Sequence, residues 1–186
     1  NNLKLYNIEN IDILGLNNYE SQLIYEDIKK LNLGNIFFIK SILLTKEIDS
    51  NSFVHSYHIF KKYPSTLVLS IKKTKFLAKI NKEGKIYLVG ENGKLLKDNN
   101  SNRLLPFIFG NPAVEEILNF KAILDKSKFS YDEIKNLYYF PSKRWDIELK
   151  NNIVIKLSKE YISEDLNDVF DFLNNENFKN INLFDT

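Results

Sequence analysis

His55 and His58 are the only histidines in 186 residues, and the chain has no cysteine, so they are the only imidazole or thiolate ligands on offer to a metal. They lie in an alternating apolar stretch, and a three-residue separation on a strand turns two side chains to opposite faces. No shared metal is expected there; two partly exposed strand residues is the plainer reading. Carboxylates occur as neighbours at Glu115-Glu116 and Glu164-Asp165. Both pairs fall in the first turn of a helical pattern, where negative charge complements the helix dipole, so acid–base chemistry is not needed to explain them. GxSxG, HExxH, Walker and GxGxxG signatures are all missing. No catalytic residue, cofactor or metal ligand is assigned. The chain reads as one that binds.

Two basic stretches could do the binding. Lys72-Lys73-Thr74-Lys75 could touch an acidic surface, but it reads first as a solvated sheet edge, where lysine discourages strand addition. Lys143-Arg144-Trp145 combines two residue types that weigh heavily in interfaces. The expected division has Trp145 buried and Arg144 at the surface. A net charge of +2, from 26 basic and 24 acidic residues, argues against nucleic acid. No segment approaches the roughly 20 apolar residues that span a bilayer. The chain begins at Asn1 without methionine, so a signal or membrane anchor is expected upstream, and the end at Thr186 is expected to be truncated.

The elements that must position these residues follow from periodicity. Ile8, Ile11 and Ile13 run as a strand into Gly15. Ser21 is placed as the cap of a helix carrying Ile24, Ile28 and Leu31, with Gly34 as its stop. After the connector Asn35–Ile39, Ser41 is placed as the cap of a second helix with Leu44 and Ile48 inward. Pro64 ends a strand at Tyr63, and Leu67, Leu69 and Ile71 alternate in the next. Both helices should cover one face of this small sheet.

Past the Lys72–Lys75 run come short strands at Phe76–Ile80, Lys85–Val89 and Leu95-Leu96. They are separated by Glu83-Gly84 and by Asn92-Gly93, a pair that tolerates positive φ at both positions. Asp98–Asn102 reads as a polar loop. Asn111-Pro112 opens a helix, with proline in its first position and Val114, Ile117, Leu118 and Leu124 inward. Trp145–Leu149 and Ile153–Leu157 form a hairpin around Asn151-Asn152. Ser163 is placed as the cap of a last helix with Leu166, Val169, Phe170 and Leu173 on its apolar face, and Asn180–Phe184 is a final strand. The expected class is α+β: a β-α-α-β-β domain over residues 1–74, then a second mixed domain over 75–186 with an antiparallel-rich sheet and flanking helices.

The order of these motifs resembles the FtsQ/DivIB family of bacterial division proteins. Ile59, Lys61, Tyr63-Pro64 and Leu67-Val68-Leu69 match the corner of its first domain, a POTRA domain. Leu77-Ala78 with Gly84, then Leu105-Pro106 with Gly110, match the next segments. Lys143-Arg144-Trp145-Asp146-Ile147-Glu148-Leu149-Lys150-Asn151 matches the basic-Trp hairpin, and Ile181-Asn182-Leu183-Phe184 the terminal strand. The chain departs from the pattern at Lys73-Thr74-Lys75-Phe76, Phe60, Asn182 and Phe184. The resemblance implies a single-pass inner-membrane protein with its bulk in the periplasm, enriched at the septum. It would be a non-enzymatic divisome scaffold that binds FtsB and FtsL and helps regulate septal peptidoglycan synthesis, with the POTRA domain open to further divisome proteins. The partner-binding residues would be Lys143, Arg144, Asn180, Ile181, Asn182, Leu183, Phe184 and Asp185. The alternatives are a POTRA-type chaperone module of an outer-membrane assembly or secretion system, and a periplasmic enzyme of cell-wall polymer, for which nucleophile and metal sets are missing.

Overall fold

The computed structural model describes residues 6–99 and 103–174. The chain divides into two compact units, one running to Lys75 and including Gly90–Leu96, the other comprising Phe76–Val89 and the residues from Lys97 onward.

The first unit runs β1 (Asn10–Leu14), α1 (Asn18–Lys30), a 3-10 turn (Ile36–Phe38), α2 (Ser41–Ser50), β2 (Val54–Lys62) and β3 (Thr66–Lys73). This is the expected sequence of strand, helix, helix and hairpin. β3 is the central strand, parallel to β1 and antiparallel to β2. Its alternation puts Leu67, Leu69 and Ile71 under the helices, where they meet Ile24 and Ile28 of α1 and Leu44 and Ile48 of α2. Burying that many aliphatic side chains is what holds so small a unit together.

The helix starts differ from expectation. Asn17 caps α1, its Oδ1 accepting from the Glu20 N–H at 2.8 Å, while Ser21 lies inside the first turn. The intervening Asn18-Tyr19-Glu20 carries no apolar stripe, so periodicity alone does not mark this first turn. Ser41 is the first helical residue of α2, and Lys40 stands at a cap position with no side-chain bond. The Lys72–Lys75 run is a solvated edge only in part: β1 pairs with β3 no further than Ser70, and Lys72 and Lys75 are exposed. Lys72 and Lys73 lie on the central strand, Lys73 donates to Glu20, and Thr74 is buried.

The second unit contains β4 (Phe76–Lys82), β5 (Lys85–Gly90) up to Val89, β7 (Phe107–Phe109), α3 (Val114–Lys126), β8 (Ile134–Tyr139), β9 (Trp145–Leu149), β10 (Val154–Lys156) and α4 (Ile162–Asn174); of β6 (Leu95–Lys97), Leu95 and Leu96 count with the first unit and Lys97 with the second. The strand order is β10-β9-β8-β7-β4-β5-β6. The sheet is mixed: β4, β7 and β8 run parallel at its centre, while β8–β9 and β9–β10 are antiparallel. The parallel centre escaped sequence reading for two reasons. β7 has three residues, too few to show alternation, and β8 slips register between Ile134 and Asn136, which breaks the period of two.

The turns differ from expectation in part. The tight pair with positive φ at both residues is Glu83 (54°) and Gly84 (77°). In the second pair only Gly93 has positive φ, because Asn92 works through its side chain: Nδ2 donates to the carbonyls of Ser52 (3.0 Å) and Val54 (2.7 Å), and Oδ1 accepts from the Lys94 N–H at 3.1 Å. α3 starts at Val114 after Ala113, so Pro112 precedes the cap, and the Glu116 carboxylate accepts from the Ala113 N–H at 2.9 Å. The buried stripe of α3 is Ile117, Phe120 and Leu124. Ser163 is the second residue of α4 and not its cap; the Asp165 carboxylate instead reaches back to accept from the Ser158 N–H.

Candidate interaction surface

The β8–β9 connection is a closed corner. Phe140 N–H bonds the Arg144 carbonyl at 3.0 Å and Lys143 N–H bonds the Phe140 carbonyl at 2.8 Å, with Lys143 itself at φ 66°. Lys143 leaves the corner with 69% of its side chain exposed and its ammonium 3.8 Å from Glu116. Arg144 is less free than expected of a surface residue. Its Nε and Nη2 grip the two oxygens of Asp146 at 3.0 and 3.1 Å, and its guanidinium lies 4.6 Å from the centre of the Phe140 ring. Its side chain is 40% exposed, that of Asp146 only 6%. Arg144 therefore covers a buried carboxylate, and removing it would leave that charge without its partner. Lys143 is the more exposed of the two cations. Trp145 is buried as expected, 4% exposed.

Beside the corner, Glu148 organises the face of β8 and β9. It accepts from Asn136 (2.9 Å), from Tyr138 Oη (2.6 Å) and from Lys135 Nζ (2.8 Å). The Asn136 hydrogen bond, then those of Lys135 and Tyr138, hold its carboxyl down at about 2 against an ordinary 4.5. A depressed folded value means that the carboxylate contributes stability above the unfolded value and loses it as pH falls through the folded one. Urea midpoints should therefore fall between about pH 4.5 and pH 2, and Glu148→Gln should flatten that part of the profile. An unchanged slope in the variant would assign the acid transition to other groups.

The other candidates are structural. Glu116 binds the Tyr139 hydroxyl as well as the Ala113 N–H, and these two bonds lower its carboxyl; in return Tyr139 is pushed up to about 12. His55 sits at the register shift of β2, its Nδ1 3.8 Å from Glu91, while His58 faces Phe60. The shift lets Val54 share the core face with Tyr57 and Ile59 despite the odd spacing. Among the described residues no group of three or more His, Cys, Asp or Glu could hold a metal, and no helix is long and apolar enough to cross a membrane. Asn180, Ile181, Asn182, Leu183, Phe184 and Asp185 lie outside the described residues, as do Asn100–Asn102 of the polar loop. Sequence reading missed Asp146, Glu148 and Glu116 as the residues that fix this corner. The partners of Glu148 and the Tyr139 hydroxyl bound by Glu116 come from a neighbouring strand and leave no local signal, whereas Arg144 and Asp146 stand two residues apart, the spacing that puts them on one face of a strand.

The family model for the C-terminal part of cell division protein FtsQ/DivIB matches residues 78–183, more than half of the chain. The chain belongs to the FtsQ/DivIB family. It is 23% identical to cell division protein FtsQ of Rickettsia felis over 97% of this chain and 70% of that protein. It is 24% identical to cell division protein DivIB of Clostridium tetani over 90% of this chain and 70% of that protein. With FtsQ of Bradyrhizobium diazoefficiens the identity is 21%, over 72% of this chain and 40% of the relative. Among solved structures, the major extracytoplasmic domain of DivIB from Geobacillus stearothermophilus covers 50% of this chain and 85% of its own length, at 14% identity and a TM-score of 0.38. FtsQ/DivIB membership places the protein in cell division. The matched span holds the Lys143-Arg144 corner and every strand of the second unit from Ala78 onward.

Proposed function

We propose that this FtsQ/DivIB protein is a non-enzymatic divisome scaffold whose second unit docks FtsB, together with FtsL, by strand addition. Its first unit would be a POTRA domain, and an upstream helix would hold the whole in the inner membrane with this region in the periplasm at the septum. There it would help regulate septal peptidoglycan synthesis.

One observation carries the reading: among the described residues the sheet of the family-matched unit ends in β10, a three-residue strand with Val154 half exposed. Such an edge offers main-chain N–H and C=O groups to another strand. Ile181–Asp185 would take that place and offer its own outer side to a segment of FtsB. Main-chain bonds would set register, and Leu183, Phe184 and the Lys143-Arg144 corner would select the partner. Lys156, opposite Asp146 on β9, brings the end of β10 to the strand position next to that corner.

Asn182→Pro or Phe184→Pro, whichever carries an outward N–H, should weaken capture of FtsB about tenfold or more, since proline removes the donor and obstructs pairing. Circular dichroism of each variant verifies the fold. Unimpaired capture by both would rule out the terminal strand as the docking edge.

A further inference from the structure

We propose that one end of the first unit is a docking face for an anionic lipid bilayer, inserted through Phe37, Phe38 and Tyr63 and held by Lys40, Lys61 and Lys62. The aromatic part is continuous. Tyr6 meets Phe37 edge-on and Phe37 stacks on Tyr63, each pair with ring centres 5.0 Å apart. Phe37 is 50% exposed, Tyr63 55% and Phe38 75%, and Ile42 and Leu43 in the first turn of α2 are exposed as well. These rings stand on a fixed backbone. Ile36 and Leu44 of the same segment are fully buried, and Asn35 caps the 3-10 turn, its Oδ1 accepting from the Phe37 N–H at 3.0 Å. Clustered large apolar side chains left in water on an anchored segment mark an interaction site.

The charge around the rings points to the partner. Residues 33–46 and 58–75, which supply Phe37, Phe38 and Tyr63, contain no aspartate or glutamate. Lys40, Lys61 and Lys62 are exposed and make no ion pair among the described residues, whereas Lys73, Lys79, Lys128 and Lys135 each have a carboxylate. Glu9, whose N–H bonds the Ser65 carbonyl at 2.9 Å, is the acidic residue brought to the Pro64 corner. Aromatic rings settle at the level of lipid headgroups, and lysine stems lie along apolar surface while the ammonium reaches anionic phosphates. Lysines beside an anionic leaflet strengthen binding roughly fivefold each. Rings exposed by half or more suit a fluid interface that moulds around them, and unpaired lysines beside them favour the anionic one. This inference concerns the first unit and does not rest on the FtsB reading.

Vesicle flotation of the 186-residue chain tests it, with phosphatidylcholine alone and with phosphatidylcholine mixed with phosphatidylglycerol. The chain should float only with the anionic vesicles and should be released by added salt. The pair Lys61→Glu and Lys62→Glu should lower partition about tenfold or more. The pair Phe37→Ser and Phe38→Ser should do the same, with melting temperature close to that of the parent. Should the aromatic pair fail to fold, the lysine pair decides the matter. Absence of partition, equal partition into neutral vesicles, or parent-like partition by the lysine pair would each overturn the proposal. So would binding to an acidic polypeptide in the absence of any vesicle binding.

Discussion

Trp145→Ala should destabilise the second unit by about 3–5 kcal/mol, the range for deleting a large buried aromatic. The indole stacks on Phe120 of α3 with ring centres 4.5 Å apart and planes 10° apart, and it meets Tyr139 of β8 at 4.8 Å. It thus joins helix to sheet at the same corner that carries Lys143 and Arg144. Truncation removes both aromatic pairs and leaves a cavity that neither the helix nor the strand can close without moving. Trp145→Phe should keep most of the packing and cost much less. Urea denaturation followed by circular dichroism checks both, since the variants lack the single tryptophan. A loss below about 1 kcal/mol for the alanine variant would mean that Phe120 and Tyr139 close over the gap.

Gly15→Ala and Gly110→Ala should each cost about 2–4 kcal/mol, the second of the two large effects. Each glycine follows the end of a parallel strand, β1 or β7, and has positive φ, 92° and 96°. A Cβ at Gly15 would stand 1.9 Å from the Ile71 carbonyl oxygen, and one at Gly110 would stand 2.2 Å from that of Tyr139. Those oxygens belong to the neighbouring strands, so relief requires moving backbone. Gly84→Ala separates the two causes, because φ there is 77° and no atom lies within 4 Å of the added carbon. It should cost only the left-handed penalty, about 1 kcal/mol. Urea midpoints that fall equally for all three variants would show that φ alone matters.

The sequence by itself determined what repeats locally. Leu67, Leu69 and Ile71 alternate strongly enough to mark β3, Ile24 with Ile28 and Leu44 with Ile48 mark two inward helix faces, and Asn151-Asn152 between alternating runs marks the β9–β10 hairpin. The order of those motifs was enough for the family, which the match over residues 78–183 shows. Capping was less legible, because Asn17 and Ser21 are equally good cap types and only the path of the chain chose between them. Tertiary structure alone decided the parallel centre of the larger sheet. The residues of β7 pair with partners 28 positions away on one side and 29 on the other, and pairing at such range leaves no periodic trace in three residues. It also decided that Asp146, two residues from Arg144, is buried, and that Glu148 gathers Asn136, Tyr138 and Lys135. A charge's role depends on what desolvates it and what bonds it, and for Asp146 and Glu148 the burial and the cross-strand bonds exist only once the strands have paired and packed.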